Sequence, residues 1–348
     1  MTEPAAKKPK PWIGALKYVI GFALLGWVLL LNWNGKDKDG VHEPGLVEIL
    51  QRTPDYTFVA LVFITYVCVV FSQYVRWYFL VKALDFPFKF KDAVRLGMVA
   101  TFYSMFLPSA IGGDIIKAVF IAREQPGRKT MAVSTVIADR LLGLFGLLVF
   151  AGFFGGAMWL AGNERIIGNP KLQYIIVGSA AAATVGAVGF LAIGFINAHR
   201  FDVIRKKLRK DILQQLWLTM YTYRQKPLTI LLGVGLSAIS HSLMMLVFHF
   251  AVQIFPPENL AMLGTFTEHC VIAPIGYIIQ AVVPVPAGVG VSEFSFGSLY
   301  EFIRPGGGKV VGVTGRLAMR VVEWILGAIC YIVFLNMKRE LPTEKADG

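Results

Sequence analysis

Asp114 and Lys117 stand three residues apart inside an apolar stretch, and Asp139, Arg140, Glu293, Arg316, Arg320 and Glu323 stand in similar surroundings further along the chain. Ionisable side chains are costly in a low-dielectric medium, so those kept there are candidates for binding a charged group. The arginines and Lys117 are suited to a phosphate. The carboxylates are suited to balancing that charge or to holding an amino group. On a helix, Asp114 and Lys117 share a face, whereas the adjacent Asp139 and Arg140 do not. Each of the latter two therefore needs a partner on another element. Arg316 and Arg320 at i,i+4, and Arg320 and Glu323 at i,i+3, share one face, which is then net positive. The same residues also read as ion pairs that join helices, with no ligand involved, and both readings stay open. In the site reading, Arg320→Ala abolishes the function that depends on this binding in a protein that still folds.

Two interruptions accompany these charges. Pro108 is followed by Gly112, Gly113, Asp114 and Lys117. Pro284 is followed by Gly288, Gly290 and Glu293, so each proline has a glycine four positions later and a charge nine later. Broken helices at membrane depth expose unpaired N–H groups and a positive dipole end, which can hold an anionic headgroup. Paired breaks of this kind in two halves of a chain point to a transport site near the midplane. Proline and glycine that merely kink packed helices are the plainer alternative.

Other chemistries are poorly represented. The three cysteines lie singly in apolar runs and read as small packing residues. The five histidines form no metal-ligand spacing, and Glu268-His269 reads as polar glue between helices or as a proton relay. No Walker loop, HExxH, GxSxG or dinucleotide fingerprint occurs. No cofactor or metal is expected, nor a catalytic residue.

The elements that must position these groups follow from composition. The chain has 348 residues, 55% hydrophobic and only 16% charged, against about 25% charged in ordinary soluble domains. Several apolar runs reach the roughly 20 residues that span a bilayer as a helix. Spans are expected at about 12–31, 56–80, 130–160, 172–198, 227–254 and 310–335. Two broken hairpins, at about 93–123 and up to 302, are expected to be re-entrant, the first from inside and the second from outside, as in an inverted repeat. The fold class is thus an all-α polytopic membrane protein: a basic tail (1–11), one transmembrane domain (12–337) and a C-terminal tail (338–348).

The segment 199–226 carries eight basic residues against Asp202 and Asp211. By the positive-inside rule it faces the cytoplasm, as do both termini. It reads as a plain topology-setting loop or as an amphipathic helix on anionic headgroups. The net charge of +12 then reflects inside loops and anionic lipid, and no nucleic-acid partner is expected.

Three segments together, Leu107-Pro-Ser-Ala-Ile-Gly-Gly-Asp-Ile-Ile-Lys117, Ala138-Asp-Arg-Leu-Leu142 and Pro286-Ala-Gly-Val-Gly-Val-Ser-Glu293, resemble the flippase-like family named for the lysylphosphatidylglycerol synthase transmembrane region. The resemblance covers about residues 12–337. Where this chain has Lys117, the family often has Arg, which keeps the charge and loses a bidentate grip on phosphate. In some relatives this region is fused to a soluble transferase domain, and no segment here is long enough for one. The resemblance implies lipid handling in the plasma (inner) membrane: a flippase or transporter of an anionic or polyprenyl-phosphate lipid. The alternatives are a membrane partner of a separate soluble synthase and an integral-membrane transferase acting on a lipid-linked substrate.

Overall fold

The structure, a computed structural model, describes residues 11–38, 41–107, 112–125, 127–208 and 211–338. The chain begins with α1 (Pro11–Leu31), followed by a short antiparallel ribbon, β1 (Lys36–Lys38) and β2 (Val41–Glu43), and by α2 (Leu46–Leu50). The first half continues with α3 (Tyr56–Lys82), α4 (Phe90–Phe106), α5 (Gly112–Glu124) and α6 (Lys129–Leu160). A linking region of α7 (Glu164–Ile167), α8 (Pro170–Phe195), α9 (Ala198–Lys207) and α10 (Asp211–Arg224) leads to the second half. That half is α11 (Pro227–Ala251), α12 (Phe266–Val282), α13 (Val291–Ile303) and α14 (Gly308–Lys338).

Apolar composition supplies the long helices, and side chains set where they start. Asp55 accepts a hydrogen bond from Thr57 N at 2.8 Å at the start of α3. Asn169 does the same for Leu172 N before α8, where Pro170 occupies the first turn. Thr265 and Glu268 close a capping box on α12. Five helices, α3, α6, α8, α11 and α14, are long and apolar enough to cross a membrane. The apolar stretch described in α1, Ala15–Leu31, is shorter. Large apolar side chains face outward along these helices, among them Leu160 at 92% exposed and Phe195 at 90%. Such a surface is compatible with hydrocarbon and not with water. The chain is a multi-pass α-helical membrane protein.

The two halves share a pattern. Each has a long helix, then limbs of 17 and 13 residues separated by a break, then a helix of 32 or 31 residues. The helices α3 and α11 pack together along their length, with Phe248, Val62 and Val69 in the main core. The base of the α4–α5 pair lies at the end where Lys226 meets Asp85 at 2.8 Å and Arg95 pairs with Glu124. The base of the α12–α13 pair lies at the opposite end, where Arg52 meets Glu258 at 3.2 Å and Arg304 meets Glu268 at 2.7 Å. The broken pairs therefore enter from opposite ends. Pro108 falls outside the described residues, as do residues 1–10 and 339–348 of the two tails.

The ribbon between α1 and α2 is held by His42, which bridges Glu48 at 2.9 Å and Asp37 at 2.7 Å. Hydrogen bonding to Glu48, and then to Asp37, pushes the His42 pKa from 6.5 up to about 9. A raised native pKa means that this contribution is complete below pH 6.5 and is lost as pH rises through about 9. NMR titration of the His42 ring is expected to show a midpoint near 9, moving toward 6.5 in Glu48→Gln. A midpoint near 6.5 in the unaltered protein would show that the bridge does not form in solution.

Candidate functional site

Within the first half, the limb after the break is tied to the helix that follows it. Lys117 on α5 places Nζ 3.6 Å from Asp139 Oδ2 on α6 and 4.2 Å from the centre of the Trp77 ring. Asp139 also accepts from Arg76 Nε on α3 at 2.8 Å. The same guanidinium donates to Ser237 Oγ on α11 at 3.3 Å. Arg140 turns the other way and pairs with Asp114 at 2.6 Å. Neighbours on one helix thus find their partners on different elements, as their spacing requires. Gly113 lets the two limbs meet: a Cβ there would lie 2.2 Å from the Ala100 carbonyl oxygen.

The second half repeats this arrangement with the charges exchanged. Glu293 on α13 pairs with Arg320 on α14. Glu293 Oε2 accepts from Gly290 N at 2.7 Å and so closes the first turn of α13. Gly290 has φ of +78°, and a Cβ there would lie 2.5 Å from the backbone of Gly21 on α1, so only glycine fits this turn. Arg320 also donates to the Ala287 carbonyl at 3.2 Å, the Gly288 carbonyl at 3.4 Å and Ser292 Oγ at 2.6 Å.

The face on α14 differs from the one expected. Arg320 does not pair with Glu323. Instead Arg316 grips Glu323 with two bonds, at 2.9 and 3.0 Å, two turns along the helix. Arg316 is 0% exposed and Arg320 2%. The face is not a free positive surface, because close packing puts each arginine against a carboxylate.

Between the two halves lies a cavity of about 320 Å³. Its polar wall is Arg76, Asp114, Lys117, Asp139 and Arg140, with Tyr74, Thr101 and Ser104 beside them. Tyr277, Gln280, Ala287, Glu323 and Trp324 complete it from the second half. Of the residues singled out in the sequence, Gly113, Asp114, Lys117, Asp139, Arg140 and Glu323 meet here. Gly112 is buried at the start of α5. Gly288, Gly290, Glu293, Arg316 and Arg320 lie behind the lining, in the packed second break and α14. On the lining, three cations (Arg76, Lys117, Arg140) stand against three carboxylates (Asp114, Asp139, Glu323), and Arg316 holds Glu323 from outside it.

Arg76 is the residue sequence reasoning missed. It reads as a basic anchor at the inner end of a span, yet it lies six residues inside α3 and is buried. Its depth within an apolar run was the available signal. Glu268-His269 also gains partners. Glu268 holds Arg165 at 2.9 Å and Arg304 at 2.7 Å. His269 Nδ1 lies 2.8 Å from His249 Nδ1, and its Nε2 lies 3.1 Å from the Tyr300 hydroxyl. These contacts join α7, α11, α12 and α13 at the end away from Lys226.

Comparison with known proteins accords with these features. The family model described as the lysylphosphatidylglycerol synthase TM region matches residues 15–330. A UPF0104 membrane protein of Methanocaldococcus jannaschii is 26% identical over 161 residues, which is 46% of this chain and 43% of that relative. The matched stretch is thus less than half of that protein's length. No solved structure matches.

Proposed function

Because the chain belongs to the family of the lysylphosphatidylglycerol synthase transmembrane region, we propose that it moves an anionic phospholipid or a polyprenyl-linked lipid between leaflets of the plasma (inner) membrane. The observation that carries this reading is the cavity shared by the two halves, with Arg76, Lys117 and Arg140 on its wall. A phosphodiester, with one negative charge at neutral pH, would engage these cations in competition with Asp114 and Asp139. Arg140 is partly exposed, at 43% of its side chain, so the charged wall can be reached from outside the protein. The broken pairs enter from opposite ends and supply the two arms of an alternating-access device. The basic charge of segment 199–226 supports reading its end of the molecule as the cytoplasmic one.

Purified protein in liposomes with fluorescent phosphatidylglycerol or polyprenyl-phosphate analogues tests this. With a membrane-impermeant quencher, protein-dependent loss of the inner-leaflet signal, beyond the outer-leaflet share lost without protein, is expected. Folded protein that moves neither lipid would overturn the proposal and favour a membrane partner of a separate synthase.

A further inference from the structure

Gly264, Tyr300, His269 and His249 form one directed hydrogen-bond chain at the end away from Lys226. Gly264 N donates to the Tyr300 hydroxyl oxygen at 2.6 Å, and that hydroxyl lies 3.1 Å from His269 Nε2. The hydroxyl therefore has its own hydrogen to give, and His269 Nε2 is the acceptor it has among the described residues. Nε2 of His269 then carries no proton, and Nδ1 does. That proton is donated to His249 Nδ1 at 2.8 Å, which leaves the proton of His249 on Nε2. Tyr300 and His269 are both 0% exposed, so these bonds within the protein set the tautomer.

The chain ends in a more open place. His249 is half-buried, and its Nε2 has no partner among the described residues and is not enclosed. The charged groups of the elements around it are engaged elsewhere. Both oxygens of Glu268, next to His269 on α12, are held by Arg165 of α7 and by Arg304 at the end of α13. Arg52 pairs with Glu258, Asp55 caps α3, and Arg316 of α14 is held by Glu323. No charged residue occurs in α6 beyond Arg140. The response of His249 to a proton therefore passes through His269.

A second proton on His249 must go to Nδ1, where it would face the Nδ1–H of His269. Two donors cannot share that contact. The bond survives if His269 exchanges its tautomer, giving up the Nδ1 proton and taking one on Nε2. His249 gains one proton from water, so the pair gains one in total. His269 Nε2 then donates to Tyr300, whose oxygen accepts from two N–H groups while its own hydrogen has lost its acceptor. We propose that His249 and His269 form a proton-binding switch, in which uptake of one proton by His249 reverses the chain and releases the Tyr300 hydrogen at the base of the α12–α13 pair. The proposal rests on these contacts and not on the proposed transport. It makes the turn at Gly264, which leads into α12, responsive to acidity at that end of the molecule.

NMR of the full chain in detergent, with the histidine ring nitrogens labelled, distinguishes the protonated nitrogens of each ring. At neutral pH His269 is expected to carry its proton on Nδ1 and His249 on Nε2. Acidification from about pH 8 to about pH 4 covers the ordinary histidine range. Over it His249 is expected to become doubly protonated, and His269 to change from Nδ1–H to Nε2–H at the same midpoint. In His249→Gln, whose side chain does not titrate, His269 should keep its Nδ1 proton throughout. In Tyr300→Phe, His269 should populate both tautomers at neutral pH, because no hydroxyl engages Nε2. Four results would overturn the proposal and leave the pair as polar glue between helices. They are an Nε2–H tautomer of His269 at neutral pH, a His249 that stays neutral throughout, a His269 that keeps its Nδ1 proton while His249 is charged, and a tautomer change that persists in His249→Gln. An unchanged His269 in Tyr300→Phe would equally remove the link to Tyr300 on which the switch depends. The unaltered protein decides the matter alone if neither variant folds.

Discussion

Arg320→Ala is expected to lose most of the folded protein rather than to leave a folded, inactive one. Glu293 is 0% exposed, and its only cationic partner among the described contacts is Arg320. Removing one member of a buried pair leaves the other charge uncompensated, at a cost of about 3–5 kcal/mol. Total stabilities of roughly 5–15 kcal/mol leave little margin for that. Arg320 also closes the second break, through the carbonyls of Ala287 and Gly288 and through Ser292. The apparent melting temperature in detergent is expected to fall by roughly 10 °C. Glu293→Gln combined with Arg320→Ala should recover part of the loss, because the stranded charge is gone. If Arg320→Ala melts within a degree or two of the unaltered protein, the pair carries no weight in the fold.

The same pair shows what sequence can and cannot reveal. The long helices are legible because hydrocarbon imposes a single condition, an apolar run of sufficient length, and that condition is local. The breaks are legible because proline and glycine act locally on the backbone. Partner identity is not local. Asp139 and Arg76 are 63 residues apart and meet because α3, α6 and α11 pack together. On α14, spacings of three and four place Arg316, Arg320 and Glu323 on one face, whereas the pair that forms is Arg316 with Glu323 at seven, since Glu293 on α13 occupies Arg320. Gly288 and Gly290 mark the second break in the sequence, and the close approach of α1, α13 and Gln280 that they permit is visible only in the structure.

The exchange of charges between the halves gives the duplication a physical sense. In both, an ion pair fastens the limb after the break to the following long helix: Lys117 to Asp139 in one, Glu293 to Arg320 in the other. The two pairs are not equally tight. Arg320 has bonds to carboxylate, carbonyls and hydroxyl, so its half is locked. The Lys117 ammonium lies 3.6 Å from its carboxylate, which already has Arg76. The looser half is the one that faces the cavity with its charge.

That asymmetry makes Lys117→Gln the substitution that separates binding from folding. Asp139 keeps Arg76 at 2.8 Å, so no buried carboxylate is stranded, and the glutamine retains donors beside Trp77. The variant is expected to melt close to the unaltered protein. Its affinity for anionic headgroups should drop roughly tenfold or more, since a hydrogen bond to a charged group contributes about 1.5–3 kcal/mol. Lipid movement in the liposome assay should fall in parallel, and Lys117→Arg should restore it. Asp139→Asn provides the opposite case. It leaves Arg76 and Lys117 without their shared carboxylate and should lower the melting temperature, as Arg320→Ala does. If Lys117→Gln moves lipid at the normal rate, the cationic wall does not hold the headgroup, and the ion pairs of the first half serve only to join helices. If it moves none while remaining folded, the charge at Lys117 belongs to the transported lipid and not to the fold.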